Sequence, residues 1–128
     1  MDGVTAHATQ MRHADLQGVQ IQWANLAGSF MQETKLDSAN FRGSNLEKAN
    51  LEKASMRNMN LFQASMPYAL IEHADLTGAN LTDLVVAEEN WIGQLQKWTV
   101  SGADELQQVY KMTSARKNDL AKFRVVKK

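Results

Sequence analysis

The sequence predicts an all-β solenoid, a chain that coils around a narrow apolar tube, and two observations point to it. A large apolar residue recurs at every fifth position from Leu16 to Val86, fifteen times without an interruption. A small residue, alanine in most units, stands two positions before it. In a chain with 44% hydrophobic residues, chance would give such a run about once in fifty thousand trials, so the repeat is real.

A period of five residues fits neither an α-helix nor a flat β-strand. On a helix, successive apolar side chains would point about 140° apart and surround the axis. On a strand, an odd period sends alternate side chains to opposite faces. A chain that turns a corner every five residues, always in the same sense, directs all of them inward, with coils about 4.8 Å apart.

The residue types within one unit follow from this geometry. A tube that packs near crystal density has space for one large and one small side chain on each side, as in Ala24-Asn25-Leu26. Ten of the fifteen units carry Asp, Asn or Ser between these two positions. Such a short polar side chain lies near a corner, where it can bond the backbone and stabilise a turn.

These units resemble the pentapeptide repeat family, whose motif is A(D/N)LXX. The resemblance extends over fifteen consecutive units, more than half of the chain, without an insertion. It implies a right-handed quadrilateral β-helix with four units per coil, hence about four coils and a height of about 18 Å. The expected segments are an N-terminal segment or degenerate coil (1–10), the β-helix (11–87) and a C-terminal capping or interaction segment (88–128).

The C-terminal segment is predicted to be a small α/β cap, because stacked coils expose their core at both ends. A short helix from Glu88 to Trp98 would place Trp91, Leu95 and Trp98 on one face, where we expect them to close the core. Ser101-Gly102-Ala103-Asp104 has the form of a capping box and predicts a second helix.

Beyond Glu105–Tyr110, which would form that second helix, the sequence indicates a β-hairpin. Its arms lie near Tyr110–Ser114 and Lys122–Val126, with a polar turn at Arg116–Asp119. A single longer helix from Ala103 to Phe123 is the alternative. At the other end of the array, the first coil edge is expected to be covered by residues 1–10 or to accept a strand from a partner or a second copy.

Catalytic, cofactor and metal sites are not expected. The chain has no cysteine and no HExxH, GxSxG, P-loop or GxGxxG motif. On the implied coil, His13 and Glu33 are stacked neighbours, but His13 and His73 stand three coils apart, about 14 Å. Because a zinc site needs three or four ligands, we expect a solvated ladder of side chains at this column and a protein that is not an enzyme.

The net charge and the lack of a signal-like or membrane-spanning pattern limit the expected partners and location of the protein. Lys plus Arg equals Asp plus Glu, at 14 each, which argues against direct binding to nucleic acid or to an anionic membrane. No basic segment followed by an apolar run opens the sequence, and no stretch approaches 18 apolar residues. A cytoplasmic protein is therefore expected, with signal-independent secretion left open.

Exposed aromatic residues form the candidate protein-binding site. Its residues are Trp23, Arg42, Phe62, Tyr68, Phe30 and Leu70. Trp23 and Phe62 belong to the same side of the coil, two coils apart, with Arg42 and Gly43 between them. Aromatic residues next to an arginine have the composition of a protein-binding hot spot.

Three functions follow as hypotheses. The first is a non-catalytic protein-binding or scaffolding module, which acts through an exposed face or the N-terminal coil edge. The second comes from the resemblance, because some pentapeptide repeat proteins mimic DNA and protect DNA gyrase from quinolones or toxins. Mimicry requires a strongly negative surface, yet residues 11–87 carry eight acidic and six basic residues, a net of −2. The third is a domain or accessory component of a bacterial effector or secretion assembly.

Overall fold

The repeat array forms a stacked solenoid in which the chain returns to the same side every twenty residues. This computed structural model describes Gly3, Thr5, residues 9–114 and residues 122–128. Parallel bridges join residues twenty apart, as in the column Asp15, Lys35, Ser55 and Asp75. The Leu36 N–H donates to the Ser55 carbonyl at 2.7 Å, and equivalent bonds recur along the array. Four five-residue units therefore make one turn, and the predicted β-solenoid class is confirmed.

Each corner is closed by a residue in the left-handed backbone region. The last residue of every unit from His13 to Asp83 has a φ between 55° and 73°. Ala39 N–H then donates to the Leu36 carbonyl at 3.0 Å, in a turn that requires a positive φ at its third residue. Four of the seven glycines lie at this position. The other corner residues carry side chains, each at a cost of about 1 kcal/mol.

The large central residues fill the inside of the tube. From Ile21 to Val86 each of them is at most 2% exposed, whereas Leu16 in the first coil is partly buried. The small polar residues beside them are also buried, and their hydroxyls are satisfied. Ser44 Oγ donates to the Ile21 carbonyl at 2.7 Å and accepts from the Ala24 N–H at 3.1 Å. Small polar side chains are thus tolerated in the core because their hydroxyls form hydrogen bonds with backbone groups.

Asparagine and aspartate side chains bond the backbone at the corners, as predicted. Asn45 Oδ1 accepts the N–H of Glu47, two residues on, at 2.9 Å. The side-chain amides also bond from coil to coil. Asn60 Nδ2 donates to Asn40 Oδ1, one coil below, at 3.1 Å. The same residue type therefore stabilises both the turn and the stacking.

The C-terminal segment packs against the last coil as two short helices and a sheet. Its elements are β1 (Val85–Val86), α1 (Trp91–Gln94), α2 (Ala103–Val109), β2 (Tyr110–Ser114) and β3 (Phe123–Lys127). The sheet order is β1-β3-β2, and both pairs are antiparallel. The structure has the hairpin and not the single longer helix, because Tyr110 ends α2 in an extended conformation. The turn predicted at Arg116–Asp119 lies outside the described residues.

Two details of the predicted cap are wrong. The first helix spans only Trp91–Gln94 instead of Glu88–Trp98, since the chain must return to the array at Trp98. No capping box forms, because the Ser101 backbone bonds the last coil and Gly102 is the residue before α2. Gly102 has a φ of 88° and makes no side-chain cap bond.

Backbone groups of the last coil bond the cap at several points. The N–H groups of His73 and Leu76 donate to the carbonyls of Trp98 and Ser101, at 2.9 and 3.0 Å. On another side, the Asp83 N–H donates to the carbonyl of Val125 in β3, at 2.8 Å. These bonds continue the ladder of the array into the cap, which covers the coil edge at these two sides.

The buried hydroxyl of Tyr110 supplies a further acceptor, from which a prediction follows. Tyr110 Oη accepts the Leu81 N–H at 3.2 Å. The substitution Tyr110→Phe leaves this N–H without its acceptor, so we expect the free energy of unfolding to fall by about 1–3 kcal/mol. Urea unfolding followed by circular dichroism measures the loss. Tyr68→Phe removes an exposed hydroxyl and should cost less than about 0.5 kcal/mol; equal losses would contradict the assignment.

At the N-terminal end, Gly3, Thr5, Thr9 and Gln10 are described. The Gly3 N–H donates to the Gln22 carbonyl at 2.9 Å, and Thr5 and Gln10 bridge residues twenty positions on. These four residues therefore continue the ladder before residue 11. None of the helices in the described part of the chain has the length and apolar character needed to cross a bilayer.

Candidate protein-binding surface

Trp23, Arg42 and Phe62 lie together on one side of the solenoid, and we call these three residues the aromatic patch. The guanidinium carbon of Arg42 lies 5.8 Å from the centre of the Trp23 ring and 5.1 Å from that of Phe62. The arginine thus lies between two rings that are two coils apart, as the column geometry predicts. Trp23 is 55% exposed, whereas Phe62 and Phe30, which were predicted to be exposed, are half-buried.

The Trp23 ring packs against Gly43. A Cβ atom on this glycine would lie 2.2 Å from Trp23 Cε3, closer than any side chain can approach. The indole therefore lies flat over the backbone of the next coil, where a larger residue would displace it. This glycine also occupies a corner with a φ of 67°. The shape of the patch thus depends on a residue that carries no side chain.

Phe30 lies apart from the aromatic patch. Its ring is 5.4 Å from the guanidinium carbon of Arg12, a pairing that was not predicted from the sequence. Phe30, Asn50 and Leu70 form one column of the solenoid, with bridges from each residue to the next. Phe30 therefore has a different arginine partner from Trp23.

Tyr68 and Leu70 line a pocket at the C-terminal end of the array. The pocket has a volume of about 290 Å³, and its walls also include Glu72, Glu88 and Trp98. Tyr68 is 56% exposed and Leu70 48% exposed. The six predicted residues are thus divided among three places. Sequence spacing could not predict this pocket, because its far wall depends on where the chain returns after α1.

The predicted cap residues lie at the end of the core. Trp91 and Leu95 are buried, at 2% and 0% exposure, and Trp98 is partly buried against the same cluster. The Trp98 carbonyl accepts the His73 N–H, and Trp98 also lines the pocket.

A family profile described as "Pentapeptide repeats (8 copies)" matches residues 14–52 and 44–83. These two matches together cover more than half of the chain. The chain belongs to the pentapeptide repeat family. A comparison with curated proteins found no match.

Solved structures of two other pentapeptide repeat proteins have the same fold. One from the cyanobacterium Nostoc PCC 7120 is 26% identical, with a TM-score of 0.66 over 76% of this chain and 83% of that one. Another, from the Arabidopsis thaliana thylakoid lumen, is 20% identical, with a TM-score of 0.52 over 74% of this chain and 76% of that one. A plasmid-mediated fluoroquinolone resistance protein reaches only 16% identity and a TM-score of 0.40, over 64% of this chain and 50% of that one.

Titratable groups on this pentapeptide repeat protein form ordinary surface contacts. His13 Nδ1 lies 3.5 Å from Glu33 Oε2, and both side chains are more than half exposed. Within the described residues, no three His, Asp or Glu side chains are grouped as a metal would require. Hydrogen bonds from the Gln17 side chain and backbone hold the pKa of the Asp15 carboxyl below its usual value. Asp15 is therefore not placed to act as a proton donor near neutral pH.

Proposed function

We propose that this pentapeptide repeat protein is a non-catalytic protein-binding module whose binding site is the aromatic patch. The observation that carries the proposal is Arg42 between the rings of Trp23 and Phe62. Tryptophan, tyrosine and arginine are the residue types that dominate the binding energy of protein interfaces. A protein partner with an apolar or acidic surface would contact both rings and the guanidinium at once.

The setting of these side chains also supports the proposal. The patch lies on a rigid ladder whose backbone bonds here are all about 2.9 Å, as in Trp23 N–H to Arg42 O and Gly43 N–H to Phe62 O. Side chains that are already packed lose little rotamer freedom when a partner binds. The arginine is held by two rings, so a partner would not need to order it. Preorganisation of this kind raises affinity without additional contacts.

Mimicry of DNA is not favoured as a second function. A DNA mimic must repeat the charge of phosphates along its surface. The described array instead carries exposed cations on several coils: Lys35, Arg42, Lys48, Lys53 and Arg57. The likeness to the fluoroquinolone resistance protein is too weak to support the idea.

An affinity experiment tests the proposal. Tagged wild-type protein and the variant Trp23→Ala plus Phe62→Ala are used to capture proteins from a lysate of the source cells. Partners retained only by the wild type are purified, and their dissociation constants are measured by calorimetry. We expect the double substitution to weaken binding by about 30-fold or more, as for hot-spot residues. Equal capture by both proteins would remove the aromatic patch as the binding site.

Gly43→Ala gives a second, independent test that keeps all three side chains. The added Cβ would displace the Trp23 ring, so binding should weaken even though no aromatic residue is lost. Gly18→Ala is the matched control, because Gly18 has nearly the same φ, 68°, and open space around it. Both variants carry the same backbone cost. Only Gly43→Ala should change the affinity.

A further inference from the structure

The ladder of the array is interrupted at the side Tyr68–Glu72 of the last coil. One coil below, the Leu70 N–H donates to the Ala49 carbonyl at 3.0 Å, and the Leu51 N–H donates to the Leu70 carbonyl at 2.7 Å. At the last coil, the corresponding groups are the Ala69 carbonyl and the Ile71 N–H. In the described part of the chain neither has a hydrogen-bond partner, and the same holds for the Tyr68 N–H.

The interruption has a simple cause in the path of the chain. After Val86 the chain leaves the ladder and forms α1, and it returns at Trp98 to bond the next side of the coil. The five residues that would have covered Tyr68–Glu72 are therefore diverted into the cap. This path leaves a short open strand edge. Along it lie the Tyr68 N–H, the Ala69 carbonyl and the Ile71 N–H, and an edge with free donors and acceptors of this kind can accept an added strand.

The pocket lies along this open edge. The residues that line it include Tyr68, Leu70 and Trp98, which are apolar or aromatic, and the acidic residues Glu72 and Glu88. A residue added in the register of the array would stand above Leu70, and its side chain would enter the space next to Trp98. The residue two positions later would stand above Glu72. The site therefore combines backbone pairing with an apolar pocket and two negative charges.

We propose that this edge binds an extended peptide segment of a protein partner by strand addition, parallel to Tyr68–Glu72. The segment carries a large apolar residue over Leu70 and a basic residue two positions later, opposite Glu72. The backbone N–H of the apolar residue donates to the Ala69 carbonyl, and its backbone carbonyl accepts the Ile71 N–H. Main-chain bonds supply affinity in such complexes, and the side-chain pockets supply specificity. This site is separate from the aromatic patch.

A second copy of the protein fits the edge less well than a peptide does. Two solenoids stack end to end only if a whole coil is open, whereas here the cap occupies the neighbouring sides. Trp98 and Ser101 bond the side at His73–Leu76, and Val125 bonds the side at Asp83. A complete coil of a second copy therefore cannot pair with this end, whereas a short segment can pair with Tyr68–Glu72.

A defined peptide tests the proposal on the full chain. The probe is acetyl-Ser-Ser-Leu-Ser-Arg-Ser-amide, with variants that carry Phe or Trp in place of Leu. Binding is followed by the backbone amide signals of the ¹⁵N-labelled protein. We expect at least one probe to bind below about 1 mM and to shift the Ile71 and Tyr68 amide signals while the Trp23 indole signal stays in place.

Matched controls distinguish strand addition from nonspecific binding of the peptide. Methylation of the central Leu nitrogen removes the N–H that would bond Ala69, and it should weaken binding about tenfold or more. Leu70→Asn introduces the residue type that already occupies the equivalent position one coil below, at Asn50, so the variant should keep the fold. Because it removes the apolar side chain from the pocket wall, it should also weaken binding about tenfold. Replacement of the probe arginine by glutamate should abolish binding.

Three results would overturn the proposal. They are no binding of any probe at about 1 mM, equal binding of the N-methylated probe, and Ile71 signals that change with protein concentration alone. The last result would assign the edge to a second copy of the chain. Trp23→Ala plus Phe62→Ala should bind the probe like the wild type, so failure at one site does not affect the conclusion for the other.

Discussion

Replacing Phe41 with alanine is expected to lower the free energy of unfolding by about 3–5 kcal/mol. Phe41 is fully buried in the tube, and it stands in register between Ile21 and Leu61. Coils above and below are tied by backbone bonds of 2.6–3.1 Å, so they cannot collapse around the space left by the ring. Most of the lost packing would therefore remain as a cavity.

Urea unfolding followed by circular dichroism checks this expectation. Phe62→Ala is the control, because it removes the same side chain from the outside of the next coil on the same side. The control should lose only about 1 kcal/mol, mainly the contact with Arg42. Similar losses at the two positions would show that the inward position of Phe41 does not dominate stability. Since a typical domain is stable by about 5–15 kcal/mol, the core substitution alone could unfold the protein at 37 °C.

Gly102→Ala is expected to loosen the cap and to lower the free energy of unfolding by about 2–4 kcal/mol. A Cβ atom at Gly102 would lie 2.8 Å from both the Cα and the N of Thr77. These are backbone atoms of the array and cannot swing aside as a flexible side chain would. The residue also has a φ of 88°, which adds the cost of a left-handed conformation.

Hydrogen exchange distinguishes loosening of the cap from general instability. The amides of Leu81 and Asp83 donate to Tyr110 Oη and the Val125 carbonyl, both of which follow Gly102 in the chain. They should exchange faster in Gly102→Ala, whereas the amide of Leu51 in the middle of the array should keep most of its protection. Gly18→Ala, with a similar φ and nothing within 4 Å, should cost only about 1 kcal/mol. A uniform rise in exchange would contradict a local effect at the cap.

The interior of the array could be predicted from the sequence because one rule governs it. The apolar period of five identifies the central core positions from Ile21 to Val86, because a chain that turns every five residues directs those side chains inward. Met59 and Leu84 are also buried, although they stand at the position of the small residue. The left-handed corners were not predicted. Eleven of the fifteen corner residues are not glycine, so the residue type does not indicate a left-handed conformation. Backbone pairing between coils imposes that conformation.

The surface was predicted less completely, and the reason lies in long-range contacts. Trp23, Arg42 and Phe62 could be placed together because the register fixes residues twenty apart. Ser101 was assigned to a capping box on local pattern alone, yet its backbone bonds Ala74 and Leu76 in the ladder. The pocket beside Leu70 depends on the same returning segment. Whatever depends on the path of the chain between the array and its cap could not be derived from the repeat.

The twenty-residue bridge register limits how the length of this protein can change. Adding or losing one residue within the array would move every later large side chain off the interior. A gain or loss of five would keep the core filled but turn all later faces by a quarter; between Trp23 and Arg42, such a change would separate these two side chains. Only a change of twenty residues preserves both the interior and the outer columns. Duplication and deletion can therefore lengthen or shorten the solenoid in whole turns, while substitutions diversify its faces.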